Sequence, residues 1–155
     1  MPRGYREFLL QVGAGCGPYY GIWSPSEVLA EWQSISTEDN GQPGRSPSEK
    51  FPLTAAETQI QNRDWPTGGC IPIGHQGCTF WSVLVLEGAF TGKVWDVACF
   101  VGTDGEWLPA RRPTGLIGFE QSQPEELPAL NSPPLFVEWV EGWIDRCVSD
   151  LTVRG

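Results

Sequence analysis

The residue types that could hold a metal or activate a thiol lie around the single histidine, in the order Cys70-x4-His75-x2-Cys78, with Cys16 far upstream. Zinc sites are built from closely paired ligands such as Cys-x2-4-Cys, and no two of the five cysteines have that spacing. An odd number of irregularly spaced cysteines, in a chain large enough to fold without staples, reads as reduced thiols. A Cys78–His75 nucleophilic pair would need a thiol activated by an electropositive setting, and nothing around Cys78 supplies one. Gly13-x-Gly15-x-Gly17 follows a helical pattern and precedes an extended one, the reverse of the strand-to-helix order of a dinucleotide fingerprint. Gly92-Lys93-Val94 lacks the hydroxyl that a phosphate loop places on magnesium. The acid pairs Asp104/Glu106 and Glu125/Glu126 would do glycosidase work only if held about 5 to 9 Å apart across a cleft; in turn-rich sequence they read as solvated charges. The expectation is a protein with no catalytic constellation, no cofactor and no metal.

The elements that would carry any site follow from composition and periodicity. A chain of 155 residues fits one domain, expected over 1–155. Its 19 glycines and 14 prolines imply many turns and short elements, favouring strands over a helical bundle. Ten Lys plus Arg against 19 Asp plus Glu leave a net charge of -9, which repels nucleic acid and anionic lipid and attracts a basic partner. Met1 to Gly77 carries 5 basic and 8 acidic residues, whereas Cys78 to Gly155 carries 5 and 11, so the C-terminal half is the more acidic. The apolar runs at Phe80 to Leu86 and Val97 to Val101 fall far short of the roughly 20 residues that span a bilayer. The opening residues lack the pattern of a secretory signal, and a cytoplasmic location is expected.

Tyr5, Phe8, Leu9 and Val12 recur at helical spacing and Gly13 follows as a C-cap, predicting a helix over Gly4 to Val12. After a glycine turn, the aromatic run Tyr19 to Trp23 suits a strand. Ser24-Pro25-Ser26-Glu27 is a capping box that should open a second helix with Val28, Leu29 and Trp32 on one face. Residues 34–50 read as an exposed loop, and Thr54 to Glu57 as the start of a short helix ended by Trp65-Pro66. Cys70 to Gly74 reads as an edge strand and Thr79 to Glu87 as a central one, apolar on both faces. Gly88 to Gly92 is a turn, Lys93 to Val101 a returning strand, and Thr103-Asp104-Gly105 a tight turn before Trp107 and Leu108. Thr114 to Phe119 suits a further short strand, and residues 120–134 a proline-rich loop. The last element is a helix in which Phe136, Trp139, Val140, Trp143, Ile144 and Cys147 recur at helical spacing, with Glu138, Glu141, Asp145 and Arg146 opposite.

The order of these segments resembles the SUKH superfamily, the domain of fungal cell-wall assembly regulators and of many bacterial immunity proteins. Pro2, Tyr5, Phe8 and Leu9 resemble its opening helix, with the glycine turn Gly13 to Gly17 after it. Pro72-Ile73-Gly74 and Gly77-Cys78 resemble the lead-in to its central strand, although Thr79 stands in place of a third glycine. Val83 to Leu86, Gly88, Gly92, Val94 and Trp95 resemble its strand, glycine hairpin and return. Phe136, Trp139 and Trp143 resemble its terminal helix. The resemblance implies an α+β domain with a central, mostly antiparallel sheet flanked by helices. It also implies a non-enzymatic protein that neutralises a bacterial toxin, often a nuclease, by binding it. A regulatory or scaffold adaptor of the same superfamily is the alternative, and a hydrolase with a deep polar pocket a more distant one.

A basic toxin domain would be met by acidic side chains in turn-rich sequence: Glu38 and Asp39, Asp104 and Glu106, and Glu125 and Glu126, with Trp107 as an aromatic anchor. Trp65, also beside a turn, is a second possible anchor, while Trp81, Trp95, Trp139 and Trp143 read as core. Because no ligand set has zinc-like spacing, a chelator should leave the thermal midpoint of the purified protein unchanged. Stoichiometric metal, with unfolding on its removal, would overturn that expectation.

Overall fold

The computed structural model describes residues 1–38, 46–53, 60–64, 68–77, 80–98, 104–110 and 132–153. These form three helices, α1 (Arg3–Gln11), α2 (Pro25–Glu38) and α3 (Phe136–Val153), and five strands, β1 (Ile60–Asp64), β2 (Cys70–Gly77), β3 (Phe80–Val85), β4 (Val94–Ala98) and β5 (Asp104–Pro109). The strands make one sheet in the order β1-β5-β4-β3-β2, and every neighbouring pair is antiparallel. The protein is therefore α+β, with a central antiparallel sheet and flanking helices.

Alternation along the inner strands sends apolar side chains to both faces, so each face needs a cover. Trp81, Val83 and Val85 of β3, Trp95 and Val97 of β4 and Trp107 of β5 pack with Cys70, Ile35, Phe51, Leu53 and Phe90 in one cluster. Leu84 and Val94 share the other cluster with Ile71 and Ile73 of β2, Tyr5, Ile22, Val28 and the α3 residues Phe136, Trp139 and Val140. The ring of Phe136 meets Tyr5 edge-on at 5.2 Å and Phe8 at 5.7 Å, which joins α1 to α3. Ala98, at the end of β4, is opposite Phe80, whose side chain is exposed.

Local chemistry sets several boundaries. Ser24 and Glu27 form the expected capping box: the Ser24 N–H donates to Glu27 Oε2 at 2.7 Å and the Glu27 N–H to Ser24 Oγ at 3.3 Å. The Ser24 contacts hold the Glu27 carboxyl below its ordinary pKa. At the head of α3, Glu138 Oε2 accepts the Leu135 N–H at 2.7 Å. The approach to that helix is fastened to the hairpin between β3 and β4: Val94 N–H donates to Pro134 O and Phe136 N–H to Gly92 O, both at 2.9 Å. Lys93 Nζ adds bonds to Ser132 Oγ at 2.7 Å and Pro133 O at 3.0 Å. Gly69 sits at another junction, where its φ of +75° and the Phe51 backbone nitrogen, which stands where a Cβ would go, leave room for no other residue.

Several expectations are corrected. Residues 34–38 continue α2 and do not begin a loop, because Ile35 is buried and extends the apolar face set by Val28 and Trp32. Leu29, placed on that face from the sequence, is 57% exposed, and Val12 and Ile144 are exposed as well. Tyr19 to Trp23 is not a strand, since its backbone groups are used inside the glycine loop: Gly15 N–H donates to Ile22 O and Ile22 N–H to Cys16 O. A backbone hydrogen bond ties it to β2 at Trp23, whose N–H donates to Ile73 O. The helix expected to end at Trp65 gives way at Ile60–Asp64 to strand β1, held by pairing to β5 despite its polar sequence. Asp104 and Gly105 are not a turn but the start of β5, paired with Asp64 and Arg63. The expected helix start at Thr54 to Glu57, the Thr114 to Phe119 strand and most of the 120–134 loop lie outside the described residues.

Truncating Trp139, which is almost fully buried, to alanine should cost about 3 to 5 kcal/mol. Trp143→Ala should cost clearly less because that ring is half-buried. Equal, small shifts of the unfolding midpoint for the two variants would contradict this packing. Burial pushes the Tyr5 phenol up to about 12, above the roughly 10 of an unfolded chain. Its contribution to stability is therefore complete below about pH 10, where the phenol is neutral in both states, and is lost as pH rises toward 12 because the unfolded chain gives up its proton first. Chemical denaturation between pH 9 and 12 should show a shallower alkaline loss for Tyr5→Phe than for the natural chain; parallel curves would refute the assignment.

Candidate functional site

The groups with chemical potential near the sheet are divided between its two faces. His75 is the register partner of Trp81, and its ring meets that indole edge-on at 4.7 Å. Its Nδ1 accepts the Gly77 N–H at 3.1 Å, an assignment that makes this nitrogen the unprotonated one. Gln76 lies on the other face, where its Nε2 donates to Ser82 Oγ at 2.9 Å and to Asp96 Oδ1 at 2.6 Å. Ser82 and Asp96 are themselves paired across β3 and β4, and both are buried. A hydroxyl, a carboxylate and an imidazole thus occur on neighbouring strands, yet the imidazole is turned away from the other two. The amide of Gln76 acts as a donor that anchors a buried carboxylate.

Cys70 is fully buried in the cluster of Trp95 and Val85, while His75 is five residues further along the same strand, roughly 15 Å at the usual strand rise. The two cannot share a metal. Cys16 is exposed and Cys147 partly so, and Cys78 and Cys99 fall outside the described residues. No group of three or more potential metal ligands occurs among the described residues.

A groove of about 190 Å³ opens beside α2. Tyr5, Val28, Trp32 and Ile71 contribute buried walls, and Met1 and Leu29 stand at its rim. Its walls carry neither His75 nor any carboxylate and are mostly apolar.

Three of the acidic residues singled out as a partner surface lie on described elements. Glu38 is the last residue of α2; Asp104 and Glu106 belong to β5, where Asp104 is opposite Asp64 and Glu106 opposite Ala98. Asp39, Glu125, Glu126 and Trp65 lie outside the described residues. Trp107 is not an interface anchor: it is 1% exposed, its indole 5.5 Å from the Phe51 ring, and it belongs to the sheet core. The turn signal just before it concealed that its strand is paired on both sides. Sequence reasoning also missed an apolar row on the outside of α3. Val137, Ile144, Val148 and Leu151 are all exposed, although Ile144 had been assigned to the buried face. Their common spacing was visible, but two apolar sets share one helix and only packing separates them.

No helix among the described residues is long and apolar enough to cross a membrane. Comparison with protein-family models, with curated proteins and with solved structures returns no match.

Proposed function

We propose that this chain is a non-enzymatic protein-binding domain of the SUKH type, an immunity protein that neutralises a basic toxin domain by direct contact. The observation that carries the reading is the way the resembling segments meet. Tyr5 and Phe8 of the opening helix lie against Phe136 of the terminal one, and Ile73 of the strand lead-in shares their cluster with Leu84, Val94 and Trp139. The glycine hairpin Gly88 to Gly92 fixes the start of α3 through the Gly92–Phe136 hydrogen bond. Residues chosen by order in the sequence are thus mutually dependent in space, as a shared fold requires. The net charge of -9 favours a partner rich in Lys and Arg and disfavours nucleic acid and anionic membrane as competitors. The separation of His75 from Ser82 and Asp96 supports binding over hydrolysis as the activity.

Co-expression with the toxin domain encoded by an adjacent gene tests this directly. Growth should be restored and a stable complex recovered. Association should slow as ionic strength rises from about 0.05 to 0.5 M, as the attraction between opposite net charges is screened. Failure to protect together with failure to form any complex would refute the reading, and weak binding to several partners without protection would favour the adaptor alternative.

A further inference from the structure

The outward face of α3 is built for a partner. At 100° per residue, Val137, Ile144, Val148 and Leu151 fall within an arc of roughly 60°, and from first to last they extend about 21 Å along the helix. Their exposures are 44%, 46%, 54% and 63%, rising toward the C-terminal end. α1 closes the N-terminal end of this row: a Cβ on Gly4 would come within 2.5 Å of Val137 Cγ2, so the α1 backbone abuts that side chain. Beyond Val137 the row is open. One side of it is bounded by the buried face of Phe136, Trp139 and Val140. Along the other side run Glu141, Asp145 and Glu138, all exposed, within about 80° of the row.

We infer that this row and its carboxylate margin form a docking surface for a basic amphipathic helix. Apolar side chains of such a helix would cover Ile144, Val148 and Leu151, and long Lys or Arg side chains would reach over them to Glu141 and Asp145. The margin argues for this occupant against the others. A second copy laid antiparallel on the row would bring carboxylates against carboxylates. An anionic lipid surface would meet the same like-charge repulsion. The inference deepens the binding reading: it rests on the partner being a basic protein and holds whether or not that partner is a toxin.

The test uses the full chain and a fluorescently labelled 18-residue peptide of Leu and Lys at helical spacing, with a scrambled peptide of the same composition as control. Fluorescence anisotropy should show binding of the helical peptide at low salt and weaker binding of the scrambled one. The triple variant Ile144→Ser, Val148→Ser, Leu151→Ser changes only exposed positions and leaves the charge at -9. It should melt as the natural chain does and bind the helical peptide at least about tenfold more weakly. Glu141→Lys with Asp145→Lys should weaken binding several-fold at low salt and much less at high salt. Unchanged affinity in the triple variant would reduce the attraction to net charge and overturn the proposal. So would a dimer of the natural chain in sedimentation that the triple variant dissolves, since the row would then belong to a second copy. Co-expression separates this proposal from the toxin reading: peptide binding that needs the row, without protection from any neighbouring toxin, keeps the docking surface and removes the toxin. Protection by the triple variant equal to that by the natural chain, with its peptide affinity also unchanged, would remove the surface and keep the toxin.

Discussion

The fold turns on the fastening of the last helix to a hairpin. Gly92 and Val94 exchange backbone hydrogen bonds with Phe136 and Pro134, and Lys93 holds Ser132 and Pro133. That short set of bonds decides where α3 begins and which of its side chains face the sheet. Phe136 is delivered beneath Tyr5 and Phe8, Trp139 and Val140 are laid over Leu84 and Val94, and α1 gains a surface on which to rest. Without it, one apolar face of the sheet would lose the cover of Phe136, Trp139 and Val140. The opposite face has a different solution, in which Phe51, Leu53 and Phe90 from connecting segments join Trp95 and Trp107 from the strands.

Buried polar groups are handled in two ways. The face that carries Leu84 and Val94 changes character along the strands, giving way to the Gln76, Ser82 and Asp96 cluster, where donors are aimed at a buried carboxylate. The Nε1–H groups of Trp95 and Trp139 are buried with no hydrogen-bond partner among the described residues. Leaving such a donor unmet costs on the order of 1 to 3 kcal/mol. Burial of so large a ring returns more than that through apolar area and aromatic contact, as with Phe90 and Phe51 around Trp95. These tryptophans are retained for their bulk and not for their polar edge.

Features set by neighbours in sequence were readable from sequence. The Ser24–Glu27 capping box, the Gly88 to Gly92 hairpin and the two-faced β3 depend on contacts or alternation a few residues apart, and the residues state them. Features set by distant pairing were not. Trp107 follows a Thr-Asp-Gly turn signal, yet β1 and β4 pull the preceding residues into a strand and bury the ring. The polar sequence of β1 gives no sign of a strand because its order comes from β5. The acidic surface was the least legible part: charge content gives the sign of a partner, whereas its position depends on which face of which element the fold leaves open. On α3, spacing alone could not say whether Ile144 belongs with Phe136 or stands with Val148.

The contact between Tyr5 and Phe136 also has a consequence in time. The two rings are far apart in sequence, so during synthesis the sheet face shared by Ile73, Leu84 and Val94 stays wet until Phe136 and the rest of α3 have been made. The antiparallel run from β2 to β5 pairs consecutive strands and can zip early, but the contact of α1 with α3 closes a loop that contains the whole sheet. Chains halted before α3 would expose that apolar face to one another and to any chaperone able to hold it. Burial of that face therefore waits on α3, and a fragment that ends before this helix keeps the face wet.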